Sequence, residues 1–108
     1  MLRKLECFLI PSRLDKMREM LLKMGINGMS VIQAQGFGTR SKVKNGIPQF
    51  EERVKVELVV NEEQVDVVLA GIKELANEGS VGGGMIFIHP VEDAIRIATL
   101  ESGKAAIR

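Results

Sequence analysis

At 108 residues and a formal net charge of +1, the chain is the size of one domain and carries no global field that would draw it to nucleic acid or to an anionic membrane. Its 45% hydrophobic and 27% charged residues are the composition of a folded domain and exclude a disordered chain. There is no Trp or Tyr, and the four Phe are scattered, against the clustered aromatics of a single-strand-binding platform; a lone cysteine, Cys7, rules out a disulfide framework or a cluster of thiolate zinc ligands.

Alternation from Leu5 through Cys7 to Leu9, with Phe8 and Ile10 on the other parity, predicts a first strand covered on both faces and ended by Pro11. Ser12, with Asp15 three residues on, reads as the N-cap of a helix whose buried stripe is Leu14, Met17, Leu21 and Met24, and Gly25 stops it. A second strand runs from about Met29 to Gln35, and Gly36 and Gly38 punctuate its end. Residues 39–52 follow as a polar connection containing Asn45-Gly46 and Pro48, and loops of this length in small domains are usually functional or mobile.

The clearest strand spans Arg53 to Val60, with Val54, Val56, Leu58 and Val60 on one face. Asn61 and Gln64 form a capping box for a second helix carrying Val65, Val68, Ile72 and Leu75, closed by Gly79. Gly82-Gly83-Gly84 leads into a last strand, Met85 to His89, and a tail follows Pro90. This order predicts an α+β fold of ferredoxin-like βαββαβ type, with two helices on one face of a four-stranded antiparallel sheet. Residues 1–108 make a single domain. The other sheet face, rich in Val, Ile and Phe, predicts cover by a neighbouring subunit.

No apolar run approaches the length of a membrane span, and Arg3, Lys4 and Glu6 give the start no signal-peptide character. The expected location is therefore the cytoplasm, with no nucleic-acid partner and with membranes met only through a protein partner.

Two glycine-rich segments hold what chemistry the sequence offers. Runs of glycine allow backbone N–H groups to approach an anion, but Gly36-Phe37-Gly38 and Gly82-Gly83-Gly84 match neither a Rossmann fingerprint nor a P-loop, and taken alone both read first as tight turns. Arg40, Lys42 and Lys44 follow the first run with no acid among them until Glu51 and Glu52, and Arg53, Lys55 and Arg96 are further cations that suit phosphate or carboxylate. His89, the sole histidine, reads as structural, Cys7 as a buried thiol, and Met17, Met20, Met24 and Met29 as core filling. No nucleophile–base pair is visible, so an enzyme is not expected.

Taken together, Gly28-Met29-Ser30-Val31, Gly36-Phe37-Gly38, the run from Val54 to Val60, and Gly82-Gly83-Gly84-Met85-Ile86-Phe87-Ile88 continuing into Pro90-Val91-Glu92-Asp93-Ala94-Ile95-Arg96-Ile97 resemble the PII family of nitrogen-regulatory signal-transduction proteins over essentially the whole chain. The resemblance implies a homotrimer that binds an adenine nucleotide (ADP, AMP or ATP) in clefts between subunits. It implies that 39–52 is the T-loop, which reaches a target transporter or metabolic enzyme and responds to nucleotide and 2-oxoglutarate. By motif, Ser30, Gly36, Phe37, Gly38, Gly82, Gly83, Gly84, Met85 and Arg96 would line the cleft, with Thr39 and Arg40 past the glycines and Arg53 at the far end of the loop.

Four departures alter that expectation. Met85 stands where members of the family usually carry a cation, Thr39 at a commonly basic position, Ala98 where a second Arg is usual, and Arg40 in place of the glutamine used for 2-oxoglutarate. The loop is also several residues shorter, and without Tyr it has no uridylylation site. The expectation is a divergent PII-like regulator of a transporter or metabolic enzyme. The alternatives are a standard PII protein sensing ATP/ADP and 2-oxoglutarate, or a metal-linked trimer of related fold using His89, Cys7 or methionines.

Overall fold

The computed structural model describes residues 1–77 and 84–108. The chain runs β1 (Leu2–Leu9), α1 (Leu14–Lys23), β2 (Ser30–Gly36), β3 (Val43–Lys44), β4 (Ile47–Pro48), β5 (Glu51–Asn61), α2 (Val65–Asn77) and β6 (Ile86–Val91). One antiparallel sheet has the order β2-β5-β1-β6, and β3 pairs with β4 in a separate small hairpin. This is the ferredoxin-like arrangement, with its two longest strands paired at the centre.

Period two in β5 turns Val54, Val56, Leu58 and Val60 to one face, where they are buried with Leu5, Cys7 and Leu9 of β1. Against them pack Met17 and Leu21 of α1 and Val68, Ile72 and Leu75 of α2. Fully burying one such aliphatic side chain stabilises the fold by roughly 1.5–3 kcal/mol. Leu14, Met24 and Val65, also expected in the helical stripes, pack at the margin.

Helix ends follow two different routes. Gly25 takes φ +79°, so α1 stops where the sequence placed its end. Ser12, however, is not an N-cap: Pro11–Arg13 form a 3-10 turn leading into Leu14, and no side chain caps either segment. Proline at the first position presets φ and has no N–H to satisfy, which does part of the work of a cap. At α2 the Gln64 side chain does return to the chain, its Oε1 accepting from the Asn61 amide at 2.9 Å.

Two strand boundaries also differ from expectation. β6 passes through Pro90, which pairs in register with Arg3. It does so because β6 is an edge strand, where a missing N–H costs the ladder nothing if it faces outward. The connection 39–52 is partly a β-hairpin, turning on Asn45 and Gly46 at φ 55° and 78°, the two left-handed residues of a type I′ turn.

The open face of the sheet corrects the expectation of an apolar surface. At its centre Glu6 lies 2.7 Å from His89 Nε2 and 3.0 Å from Lys55 Nζ. Lys55 also pairs with Glu57 at 3.3 Å, and Lys4 bridges Glu57 and Glu6 at 3.4 and 3.8 Å. Apolar surface remains around this network, on Ile32, Phe87 and the edge of Phe8, whose ring meets Phe87 edge-on at 6.5 Å. Val, Ile and Phe counts did not reveal it because period two sends the strands' charged residues to one face together.

Beyond β6 the tail folds back on the domain. Ile95 bridges Ser102, Gly103–Ile107 form a 3-10 turn, and Asp93 Oδ1 accepts from the amides of Ala94 and Gly103 at 2.8 and 3.0 Å. Among the described residues no helix is long and apolar enough to cross a membrane.

Candidate functional site

A cleft of about 600 Å³ opens at one end of the sheet, where the turn after β2, the start of β5, the end of β1 and the entry to β6 converge. The turn contributes Gly36, Phe37, Gly38, Thr39, Arg40 and Ser41, and β5 contributes Arg53. Gly84, Met85 and Phe87 face them, with Phe8 as the floor. Segments far apart in sequence are brought together because β1 pairs with both β5 and β6.

Each side of the cleft is held by backbone chemistry. Gly84 lies so close to Phe8 that an added Cβ would collide with the Phe8 carbonyl oxygen, and the Phe8 amide donates to the Met85 carbonyl at 3.3 Å. Met85 is thereby presented outward, 66% exposed. Opposite, the Gly38 amide donates to Ser41 Oγ at 2.8 Å and the Ser41 amide donates to the Gly38 carbonyl at 3.1 Å, closing a tight turn. The Gly38 N–H expected to face an anion is therefore occupied within the turn. Phe37 packs edge-on against Phe50 at 5.6 Å.

Gly36 and Gly38 differ from Gly84 in a telling way. Neither has a left-handed backbone, and a Cβ on either would meet nothing within 4 Å. Nothing described within one protomer requires glycine at these two positions.

Charge in the cleft comes from two arginines in unlike states. Arg53 is tied down: one guanidinium nitrogen donates to the Glu52 carbonyl at 2.7 Å, and another lies 3.5 Å from the Glu51 carboxylate. Arg40 makes no ion pair with a described residue. Glu51 reaches back across the loop to accept from the Lys42 amide at 3.2 Å. That amide, ahead of Arg53 and Ser41, holds the Glu51 carboxyl below the ordinary carboxylate range.

Of the expected site residues, Gly36, Phe37, Gly38, Thr39, Arg40, Arg53, Gly84 and Met85 meet at this cleft. Gly82 and Gly83 lie outside the described residues. Ser30 does not join them: it pairs with Glu57, six residues up β2 from Gly36, or about 20 Å at strand rise. Arg96 lies past the opposite end of β6, its guanidinium donating to the Arg108 carbonyl at 2.9 Å. Sequence reasoning missed Phe8, Ser41, Phe87 and Gln35 as lining residues. A serine three residues after Gly38, able to close the turn, was the available signal for one of them.

An α+β sheet with helices on one face and a basic, glycine-edged cleft at the root of a hairpin arm is the class of architecture this chain presents. Residues 2–101 match the family model described as nitrogen regulatory protein P-II. Nitrogen regulatory protein P-II of Pasteurella multocida (strain Pm70) is 39% identical, covering 98% of this chain and 100% of that protein. The counterpart from Nostoc punctiforme is 38% identical with the same coverage. In three dimensions the chain superposes on the crystal structure of Arabidopsis thaliana PII bound to citrate with a TM-score of 0.81, at 38% identity, covering 97% of this chain and 91% of that one. The chain belongs to the nitrogen regulatory P-II family of signal-transduction proteins.

Proposed function

We propose that this protein is a cytoplasmic, non-catalytic signal transducer that binds an adenine nucleotide at the cleft and regulates a transporter or metabolic enzyme through residues 39–52. The observation that carries the reading is the pair Gly36 and Gly38, whose missing side chains leave space that nothing described in the protomer uses. Glycine at such positions is explained by a ligand whose atoms approach the backbone. Arg40 beside them supplies a cation for it.

The functional unit in this reading is a homotrimer with its clefts between subunits. Ser30 and Arg96 stand too far from their own cleft to serve it, but a neighbour's equivalents would complete it. In support, β2 is an edge strand with Val31 and Ile32 42% and 45% exposed, and Phe87 on the open sheet face is 48% exposed. Non-catalysis is supported by the state of Ser41, His89 and Cys7, of which Ser41 alone lines the cleft. Ser41 is engaged in its turn, His89 is engaged with Glu6 on the open sheet face, and burial in the core pushes the Cys7 thiol up to about 11.

With Met85, Thr39 and Ala98 at commonly cationic positions, ADP and AMP suit the site better than ATP, and with Arg40 replacing the glutamine, 2-oxoglutarate is not required. Calorimetric titration with AMP, ADP and ATP, with and without 2-oxoglutarate, tests this. The expected result is binding of ADP or AMP that Arg40→Ala weakens about tenfold or more, the size of a charge-assisted hydrogen bond. Tight ATP binding strengthened by 2-oxoglutarate would establish standard PII sensing instead, and no binding at millimolar nucleotide would sink the nucleotide reading.

A further inference from the structure

Residues 39–52 leave the sheet after β2 and return at β5, so the hairpin has two roots, and one side chain touches both. Glu51, the first residue of β5, accepts from the Lys42 amide on the outgoing root at 3.2 Å. Its other carboxylate oxygen lies 3.5 Å from Arg53 on the returning root. Period two puts Glu51 and Arg53 on the same face of β5, and Arg53 also lines the cleft. Just beyond, the Gln49 amide donates to the Lys42 carbonyl at 2.8 Å, so Lys42 is the point at which the hairpin is fastened.

From this shared carboxylate we infer that Glu51 couples the cleft to the arm by competition: an anion bound at Arg53 displaces Glu51 and loosens the arm at Lys42. The inference rests on the proposed anion-binding role of the cleft and specifies how that cleft is read out. A guanidinium that turns its donors toward a phosphate or carboxylate gives up part of its contact with Glu51. The carboxylate then loses its one cationic anchor and keeps only the Lys42 amide and Ser41, and the Lys42 amide loses a well-placed acceptor. Coupling of this kind is reciprocal, so a partner that grips the arm in its fastened form lowers the affinity for the anion.

Three variants of the full-length protein separate this from simple charge effects. Glu51→Gln keeps an acceptor for Lys42 but frees Arg53. Glu52→Gln removes the same charge one residue away, where no side-chain contact to the arm is made. Glu51→Ala removes both contacts. ADP is expected to bind Glu51→Gln about two- to fivefold more tightly than the wild type, the scale of an exposed ion pair, and Glu52→Gln with a smaller change. Hydrogen exchange at the Lys42 amide is expected to quicken when ADP binds the wild type. In Glu51→Ala it is already fast and ADP adds nothing.

Equal ADP affinity in the two Gln variants, or ADP binding to the wild type with Lys42 exchange unchanged, overturns the inference. If none of the proteins binds ADP, the nucleotide reading fails separately. The latch is then decided by the same exchange measurement with inorganic pyrophosphate, an anion that needs no base-binding surface. Unchanged Lys42 exchange there overturns it too.

Discussion

Gly84 passes over the Phe8 carbonyl oxygen with no room for a side chain between them, and this close approach fixes how Met85 faces the cleft. Gly84→Ala must shift one of the two backbones. The expected loss is roughly 1–3 kcal/mol, the usual range for overpacking, read from urea unfolding. Gly36→Ala and Gly38→Ala are the contrast, because their Cβ atoms meet nothing in the protomer. They should leave the unfolding midpoint nearly unchanged while weakening ADP binding in calorimetry. A destabilised Gly36→Ala with normal ADP binding would reverse the argument.

Met85 places a thioether, 66% exposed, among the residues that line the cleft. Met85→Lys therefore adds a donor for the outermost phosphate. Affinity for ATP should rise about 10- to 100-fold, as one charge-assisted bond allows, and affinity for AMP much less. Parallel titrations of the variant and wild type with both nucleotides check this. An equal change for AMP and ATP would mean that residue 85 does not face the phosphates.

The network on the open sheet face makes stability depend on pH in a stated direction. Lys55, with Lys4 and His89 assisting, holds the Glu6 carboxyl below its ordinary 4.5. A depressed folded-state value contributes stability that is present above 4.5 and lost as pH falls through the folded value. Glu6, then Glu57, raises Lys55 above 10.5, and that contribution is lost as pH climbs past the folded value. Urea midpoints followed from neutrality down past 4.5 should fall less steeply in Lys55→Met than in the wild type. Identical acid limbs would show that the network adds nothing.

Asn45 and Gly46 both take positive φ at the hairpin tip. Alanine at Gly46 meets strain of about 1–2 kcal/mol in the left-handed region. Because β3 and β4 pair only with each other, Gly46→Ala should raise amide exchange across 43–48 while the global melting temperature stays put. A fall in the global transition would mean that the hairpin is part of the cooperative core.

Patterns that depend on one residue's neighbours in sequence were legible, and patterns set by strand pairing were not. Alternation in β5, the Gly25 stop and the Gln64 half of the capping box are local, and all three stand in the structure. Pro90 misled because its tolerance depends on β6 lying at an edge, which no local spacing encodes. In 39–52 the sequence shows Asn45-Gly46 as turn residues but not the hairpin around them, because two-residue strands leave no periodicity to read. In the sequence Glu51 is one acid among several. Its significance comes from the return of β5 beside Lys42, a contact made in three dimensions. The cleft was read through the glycines and cations, while Phe8 and Phe87 joined it only through the pairing of β1 with β6.

The most direct test of the central claim is a crystal structure of the protein with ADP. The expected structure is a trimer with nucleotide between subunits, its phosphates against Gly36–Arg40 and Gly84–Met85 of one subunit, with Ser30 and Arg96 of a neighbour closing the site. ADP bound elsewhere, or a protomer whose cleft faces solvent with no neighbour across it, would overturn the proposed function.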